Sequence, residues 1–405
     1  MKNRLRDLLC CPVCGGDLNL NAFVEERVQM AQPESVQYRG LDHETVVKEG
    51  VLSCARCRVW YPVLEYIPVM LIFPTCVHRK FSEKHQQHMG VVSGYTMPTG
   101  NPEAGERSVQ ETFSDEWDRL QDNELSFTST LDDLIELNRQ VWLRPLQPTH
   151  DQFKTVLNIG VGLGAETVAV QTAVGNAEII GVDLNFALLQ RGRTHRTTPR
   201  FHLVIASLFH LPFRRATFDV VYSQGVIHHT YSTKAAFDSI ASFASPGGHL
   251  FIWVYSLDSH LLPKGFKGVV LRSKWNFEKV LRPLVSRSPK PLRDAVFAML
   301  TAIFHVPIKM TLRHKDKWKP ANTNHGLRDW LSPRYAHRHS YNEVLEWFED
   351  QGFAFVAVQS PGTYRRLFGK QLYGVGVLGQ RIEQVERIAQ AHDHDVDDVM
   401  AGSAK

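Results

Sequence analysis

Residues 156–164 read Val-Leu-Asn-Ile-Gly-Val-Gly-Leu-Gly, and residues 179–183 read Ile-Ile-Gly-Val-Asp. An apolar strand thus runs into a glycine-rich turn, and a segment of helical length leads to a second apolar strand that ends in an acid. Glycine permits positive φ and has no Cβ, so a ligand can approach the backbone of such a turn closely. The closing Asp183 is of the type that accepts hydrogen bonds from a ribose diol. This stretch predicts a pocket for a nucleotide cofactor.

Strands and helices alternate from Lys154 onward, which is typical of an α/β domain with a doubly wound sheet. Seven strands are predicted at residues 156–159, 179–182, 202–205, 219–222, 249–255, 353–358 and 371–378. Helices are predicted between them at about residues 165–174, 186–195, 234–244 and 341–351. A helical segment, residues 257–335, interrupts the series after the fifth strand. We expect it to form a lid above one end of the sheet.

Three later segments narrow the choice of cofactor. Residues 206–213 read Ala-Ser-Leu-Phe-His-Leu-Pro-Phe, residues 227–230 read Ile-His-His-Thr, and residues 245–250 read Ser-Pro-Gly-Gly-His-Leu. In this order after the glycine turn, they resemble class I S-adenosylmethionine-dependent methyltransferases, particularly the branch that includes ubiquinone and menaquinone biosynthesis enzymes. The resemblance covers about residues 156–255 and continues weakly through residues 341–353. It implies a Rossmann-like sheet and S-adenosylmethionine as the cofactor.

The resemblance also implies which residues bind the cofactor. The glycines would line its methionine side and Asp183 would hold the ribose hydroxyls. Asn158 and Ser207 depart from the family pattern, because many members carry an acid at each position. A neutral acceptor is weaker than a carboxylate by about 1 kcal/mol per contact, so cofactor affinity could be modest. The full predicted set is Asn158, Gly160, Gly162, Gly164, Asp183, Leu184, Ser207, Leu208, Ser223 and Gln224.

Three histidines are candidates for catalysis. His228 and His229 follow the fourth predicted strand, where the loop of this fold opens onto the reacting methyl group. His337 belongs to a polar cluster at the end of the helical segment, and it could line the acceptor pocket from above. A base is needed only if the acceptor must lose a proton. A purely structural role for these histidines is the alternative.

The six cysteines all lie in the first fifth of the chain. Cys11 and Cys14 form one Cys-x-x-Cys pair, and Cys54 and Cys57 form another, a spacing that suits one tetrahedral zinc ion. A redox pair is disfavoured because no strand-helix pattern surrounds either motif. The module, residues 1–74, resembles the small zinc-ribbon proteins that serve as activator subunits of tRNA and translation-factor methyltransferases. The matching segments are residues 8–18, 52–57, 61–63 and 67–69. Structural Zn²⁺ would stabilise this small β-rich core.

The remaining boundaries follow from composition. Residues 75–112 are rich in Gly, Pro, Gln, His and Ser and are predicted to be a linker, residues 113–380 to be the methyltransferase domain, and residues 381–405 to be a C-terminal helix or tail. Between Lys264 and Lys319, fourteen basic residues face three acids, so this segment carries +11 and the rest of the chain −7. A basic insert of this kind suggests an anionic partner, and a solvated helical face is the alternative.

These observations leave three hypotheses for function. The first is O- or N-methylation of a small-molecule, lipid-linked or nucleotide-linked acceptor that carries negative charge. The second is methylation of rRNA or tRNA, and the third is a non-catalytic zinc-ribbon scaffold with a degenerate cofactor domain. The apolar run within residues 291–308 is shorter than a membrane span and suits a lid or an interfacial helix, so peripheral membrane contact is possible. We expect a cytoplasmic protein without a transmembrane segment, and the oligomeric state stays open.

Overall fold

The computed structural model describes residues 1–31, 43–119, 125–126, 129–257, 266–310, 312, 314–359, 364–366 and 374–383. Most of the predicted tail, residues 384–405, therefore lies outside the described residues.

The N-terminal module is a small antiparallel sheet preceded by one helical turn. Its four strands follow one another in sequence order, and β2 is paired on both sides. The polar segment between the two cysteine pairs is thus a long β-hairpin, apart from residues 32–42, which are not described. The elements are α1 (Asn3–Leu8), β1 (Asn19–Gln29), β2 (His43–Cys54), β3 (Val59–Leu64) and β4 (Ile67–Pro68).

The predicted linker, residues 75–112, differs from expectation because it is largely helical. It contains α2 (Cys76–Lys84) and the start of α3 (Glu106–Asp118). In α2, the ring of Phe81 is buried and lies 6.1 Å from the ring of Trp60 in the N-terminal module. Spaced apolar residues in a polar sequence thus bury one face of a short helix. Two short antiparallel strands of two residues each follow, β5 (Leu125–Ser126) and β6 (Ser129–Thr130). The next helix is α4 (Leu131–Leu137).

The central sheet has the seven strands that the sequence predicts, in the order β12-β13-β11-β10-β7-β8-β9. Six strands run in the same direction, and β13 alone is antiparallel, to both β11 and β12. The strands are β7 (Thr155–Ile159), β8 (Glu178–Asp183), β9 (Phe201–Ile205), β10 (Phe218–Gln224), β11 (Ala244–Tyr255), β12 (Phe353–Val358) and β13 (Gly374–Arg381). The helices between them are α5 (Ala165–Val174), α6 (Gly192–His195), α7 (Thr233–Ala241) and α11 (Tyr341–Asp350).

Three helices occupy the predicted lid segment: α8 (Phe266–Arg287), α9 (Lys290–Met310) and α10 (Pro320–Leu331). A small apolar cluster holds them together, and its buried members are Val285 of α8, Phe297 of α9, and Leu327 and Leu331 of α10. At 21 residues, α9 is longer than the sequence suggested, and among the described helices it is the one that is long and apolar enough to cross a membrane. Very little of it is buried.

The N-terminal module and the central sheet share one hydrophobic core. Leu9 forms a β-bridge with Phe213, and the strand that begins with β4 continues to Val69, which bridges Ile205 of the edge strand β9. The amide of Met70 donates to the Ile205 carbonyl at 2.7 Å. The backbone groups on the open edge of β9 are thereby partly paired, which removes a site for unwanted strand pairing.

Candidate cofactor and acceptor cavity

A cavity of about 640 Å³ opens at the carboxyl ends of β7, β8 and β10. This is the point where the order of the parallel strands reverses, and α/β sheets bind their ligands there. The sheet forms the floor, and α3 and α10 contribute the walls through Trp117 and Asp329. Its volume lies within the range of about 300–1,000 Å³ that small-molecule sites have.

The glycine turn after β7 forms one side of the cavity. Gly160 has φ +80°, and a Cβ there would stand 2.1 Å from the Val226 side chain. Gly162 has φ +56°, and a Cβ there would meet the indole of Trp117 at 2.6 Å. Both positions therefore require glycine, for backbone conformation and for space.

Asp183 ends β8 at the cavity wall, as the sequence predicts. Its Oδ2 accepts from the Gly162 amide at 2.8 Å, and its Oδ1 accepts from the Asn185 amide at 2.9 Å. Burial raises the pKa of Asp183, and these amide donors oppose the rise. Each carboxylate oxygen can still accept a second hydrogen bond, so Asp183 can bind a diol while it holds the glycine turn.

Six of the predicted cofactor residues line the cavity: Gly160, Gly162, Asp183, Leu184, Leu208 and Gln224. The other four do not line it, and their contact with the cofactor stays a prediction. Asn158 is buried and donates to Thr167 Oγ1 at 3.0 Å. Gly164 is the N-cap of α5, Ser223 is buried in β10, and the Ser207 hydroxyl accepts from the Phe209 amide at 3.1 Å.

Sequence reasoning missed a carboxylate beside the glycine turn. Glu166, in the first turn of α5, lines the cavity and accepts from Tyr222 Oη at 3.0 Å. With its nitrogen turned toward this carboxylate, the Gln224 amide donates to Glu166 Oε2 at 3.1 Å. Burial raises the pKa of Glu166 to about 8, although the Tyr222 hydrogen bond opposes the rise. The only sequence signal was an acid within three residues of the last glycine.

A second unpredicted carboxylate enters the cavity from α3. Glu106 is 6% exposed, and its Oε2 accepts from the Glu103 amide at 2.8 Å. It also interacts with the Ser207 hydroxyl, which opposes the rise in the pKa of Glu106 that burial causes. An acid therefore lies next to Ser207, although Ser207 itself is a neutral residue at the position where many family members carry an acid. No local pattern could show this, because Glu106 and Ser207 are a hundred residues apart.

The far end of the cavity combines an acid, a phenol and an imidazole. Tyr255 Oη donates to Asp329 Oδ2 at 3.5 Å, and burial raises the pKa of Asp329 to about 6. His229 lies at the same wall, where its Nδ1 donates to the Tyr335 carbonyl at 2.9 Å. That bond leaves Nε2 as an acceptor, and it has no hydrogen-bond partner among the described residues. Burial lowers the pKa of His229 to about 4, so the ring is neutral near pH 7.

The other two predicted catalytic histidines do not line the cavity. His228 is completely buried with its ring 3.9 Å from that of Tyr255, and burial lowers its pKa well below the usual value. His337 holds the lid to the loop after β10, because its amide donates to the His228 carbonyl at 2.9 Å and its Nε2 lies 3.0 Å from the Thr230 carbonyl. These contacts favour the structural alternative for both histidines, and their catalytic roles stay predictions.

The two cysteine pairs meet in the N-terminal module. The sulfur atoms of Cys11, Cys14, Cys54 and Cys57 all lie within 4.8 Å of one another. The Cys14–Cys54 and Cys11–Cys57 sulfur separations are 3.6 and 4.0 Å, and a tetrahedron with Zn–S bonds of about 2.3 Å has edges of about 3.8 Å. The amides of Gly16 and Cys57 point at Cys14 and Cys54 sulfurs. The cluster fits a structural zinc ion.

Comparisons with known families agree with this architecture. Residues 157–252 match the family described as a methyltransferase domain, and residues 2–65 match the family of Trm112p-like proteins. The first match runs from within β7, through the glycine turn, to within β11, and the second contains all four clustered cysteines.

The chain is also similar to curated proteins over part of its length. It is 28% identical over 107 residues to malonyl-[acyl-carrier protein] O-methyltransferase of Legionella pneumophila, which is 26% of this chain and 38% of that protein. It is 30% identical over 138 residues to the protein named probable tRNA methyltransferase 9B of Mus musculus, which is 33% of this chain and 29% of that protein. The chain thus spans well under half the length of either relative.

Among solved structures, the chain resembles the Haloferax volcanii complex that contains the Trm112 methyltransferase activator. The TM-score is 0.40 at 14% identity, and the match covers 68% of this chain and 98% of that one. Taken with the seven-stranded sheet and the four-cysteine cluster, the family matches show that the chain joins a Trm112p-like zinc-ribbon domain to a methyltransferase domain.

Proposed function

We propose that the protein is an S-adenosylmethionine-dependent methyltransferase whose cofactor occupies the cavity above β7, β8 and β10. The observation that carries the proposal is that the glycine turn, Asp183, Glu106 and Glu166 all reach one cavity of about 640 Å³ at the switch point of the sheet. Bound S-adenosylmethionine would supply an electrophilic methyl group on a sulfonium. The glycine turn would approach its methionine part, and Asp183 would accept from the ribose.

The two unpredicted carboxylates bear on the scaffold hypothesis. That hypothesis rested on the neutral residues Asn158 and Ser207, which remove negative charge from a site for a cationic cofactor. In this cavity Glu166 places a carboxyl group near the glycine turn, which its pKa of about 8 keeps protonated near pH 7, and Glu106 places a second one beside Ser207. Both groups can hydrogen-bond to a bound cofactor, which supports a binding-competent site and weighs against a degenerate one.

We assign the acceptor end to Asp329, Tyr255 and His229. Transfer of a methyl from a sulfonium is an in-line displacement, so orientation and exclusion of water carry much of the acceleration. An oxygen acceptor must also lose a proton, and a base is most effective when its pKa is near the working pH. Asp329, with a pKa of about 6, suits this role better than His229, with a pKa of about 4. His229 would accept a hydrogen bond from the acceptor through Nε2.

The acceptor we favour is a small molecule, or a lipid-linked or nucleotide-linked molecule, that carries negative charge and receives the methyl on oxygen or nitrogen. Two arginines, one on α8 of the lid and one just after the lid, lie behind this end of the cavity. Arg338 lies over the ring of Tyr255 at 5.3 Å and pairs with Glu278 at 3.1 Å, and Arg282 pairs with the same carboxylate. These two cations balance Glu278 and the ionised Asp329, so an anionic acceptor meets no net negative charge at this end of the cavity.

RNA is the second candidate acceptor. The Trm112p-like match and the basic lid segment favour it, since RNA binding relies on phosphate contacts by Lys and Arg. Exposed apolar side chains interrupt the basic residues of the lid, however, and this is unlike a surface that follows a phosphate backbone.

Calorimetry and a labelling assay test these proposals. Titration with S-adenosylmethionine should show binding to the zinc-loaded protein, and no binding up to millimolar concentration would refute the methyltransferase proposal. Tritiated methyl transfer is then compared for total RNA, a lipid extract and a small-molecule extract. Label in the lipid or small-molecule fraction supports the first acceptor class, and label in RNA alone replaces it with the second.

A further inference from the structure

The lid carries an unusual exposed apolar surface. On α9 the side chains of Leu292, Met299, Ile303, Val306 and Met310 are 56–70% exposed. At 3.6 residues per turn these positions fall within a sector of about 60° of the helix circumference, so they form one continuous stripe, here called the α9 stripe. Soluble monomers rarely expose contiguous apolar patches of this kind without a partner.

The neighbouring helix repeats the pattern. Val280 and Leu284 of α8 are 65% and 64% exposed and lie one turn apart on the same face. On both helices the buried side is the one that contacts the cluster around Phe297, and the exposed apolar residues lie on the side away from it. Two adjacent helices thus present apolar surface outward.

The α9 stripe does not belong to a membrane-spanning helix. Asp294, in the first turns of α9, accepts from Arg328 of α10 at 2.7 Å and from Arg119 of α3 at 3.3 Å. Thr301 and Asn324 connect α9 to α10 by a further hydrogen bond at 2.9 Å. One side of α9 is therefore tied by polar contacts to the rest of the protein, and the opposite side alone is free to enter an apolar phase.

The charge of the surrounding segment indicates which apolar partner the α9 stripe contacts. The segment from Lys264 to Lys319 carries +11 in a chain whose remainder carries −7. Lys279 and Arg287 of α8 are exposed, and Lys315 and Lys319 follow α9 at the surface. A second copy of the chain would bring two strongly positive segments together, which like-charge repulsion opposes. A bilayer with anionic headgroups instead offers an apolar interior to the stripe and negative charge to its basic border, worth about 1 kcal/mol per basic residue near the surface.

We propose that the α8–α9 face binds the surface of an anionic lipid bilayer, with the α9 stripe inserted at the boundary between headgroups and acyl chains. On its inner side, α9 contacts α10, which supplies Asp329 to the cavity. The membrane-bound face and the acceptor end of the cavity therefore belong to the same three-helix lid.

Sedimentation of the full-length zinc-loaded protein with vesicles tests this proposal. We expect binding to vesicles of phosphatidylcholine mixed with phosphatidylglycerol, and little binding to phosphatidylcholine alone. The pair Ile303→Gln and Val306→Gln should weaken vesicle binding by about tenfold or more, because it removes apolar surface that would enter the bilayer. Both side chains are exposed, so these substitutions leave the fold intact. The matched pair Val24→Gln and Val91→Gln, on exposed valines of another surface, should change it by less than about twofold.

Three results would overturn the proposal. The first is no sedimentation with either vesicle, and the second is equal binding by the two glutamine pairs. The third is a lipid-free dimer that the Ile303→Gln and Val306→Gln pair dissociates, because it would assign the face to a second copy. Vesicle binding is measured without S-adenosylmethionine, so its failure is separate from a failure of the proposed activity.

Discussion

Replacing Glu166 by glutamine should stabilise the protein at alkaline pH and have little effect at acidic pH. The side chain lies at the cavity wall, where burial raises its pKa from 4.5 to about 8. Below pH 4.5 the carboxyl is protonated in both the folded and the unfolded protein. Between pH 4.5 and about 8 the unfolded chain releases this proton and the folded protein keeps it, so the free energy of unfolding falls as the pH rises.

The size of the effect follows from this difference in pKa. At about 1.36 kcal/mol per pH unit, the rise corresponds to at most about 5 kcal/mol above pH 8. Because the carboxyl borders a cavity that water can enter, we expect about 2 to 4 kcal/mol. Glutamine does not titrate, and its carbonyl can still accept from Tyr222 Oη. Glu166→Gln should therefore gain this amount relative to the wild type between about pH 5 and about pH 8.5.

Urea unfolding of the zinc-loaded protein at about pH 5, pH 7 and pH 8.5 measures this difference. Glu111→Gln makes the same chemical change at an exposed position of α3 and is the control. If the stability gain of Glu166→Gln is the same at all three values, Glu166 does not carry a raised pKa and the reasoning about this site fails.

Three further predictions concern the cofactor, the acceptor and the metal. Asp183→Asn should weaken S-adenosylmethionine binding by roughly tenfold or more in calorimetry, because an amide is a poorer acceptor than a carboxylate; unchanged affinity would exclude a ribose contact. Asp329→Asn should lower the rate of methyl transfer to an oxygen acceptor by roughly a hundredfold without changing cofactor affinity, and an equal loss of both would instead indicate a structural role. Cys57→Ser should remove about one equivalent of zinc and lower the melting temperature of the whole chain in a single transition, since the two domains share a core; a methyltransferase domain that melts unchanged in calorimetry would contradict this.

Features encoded by neighbouring residues could be predicted from the sequence. The glycine turn, Asp183 and the strands on either side lie within 28 residues, and their pattern of apolar runs and turn residues is set by backbone geometry. All seven strands were predicted, most of them to within a few residues. The zinc site could likewise be predicted from the two Cys-x-x-Cys pairs, because two thiolates three residues apart already approach the geometry of a zinc site.

Features that depend on contacts between distant segments could not be predicted. Glu106 comes from a helix that precedes the sheet by about fifty residues, and Asp329 comes from the lid. The sequence also could not indicate which of His228 and His229 faces the cavity, because adjacent residues on one loop differ only in the direction of their side chains. The structure turns His229 toward the cavity and buries His228 behind it.

The sequence by itself determined a methyltransferase-like sheet with a glycine turn, an acid after its second strand and a separate four-cysteine motif, because each of these is a local pattern. Only the tertiary structure decided that the zinc ribbon shares the core of the sheet through Leu9 and Val69, and that the carboxyl groups of Glu106 and Glu166 line the same cavity as the glycine turn. The physical reason is that the burial and the pKa of a side chain depend on tertiary contacts between segments that are distant in the sequence. Local sequence patterns do not specify those contacts.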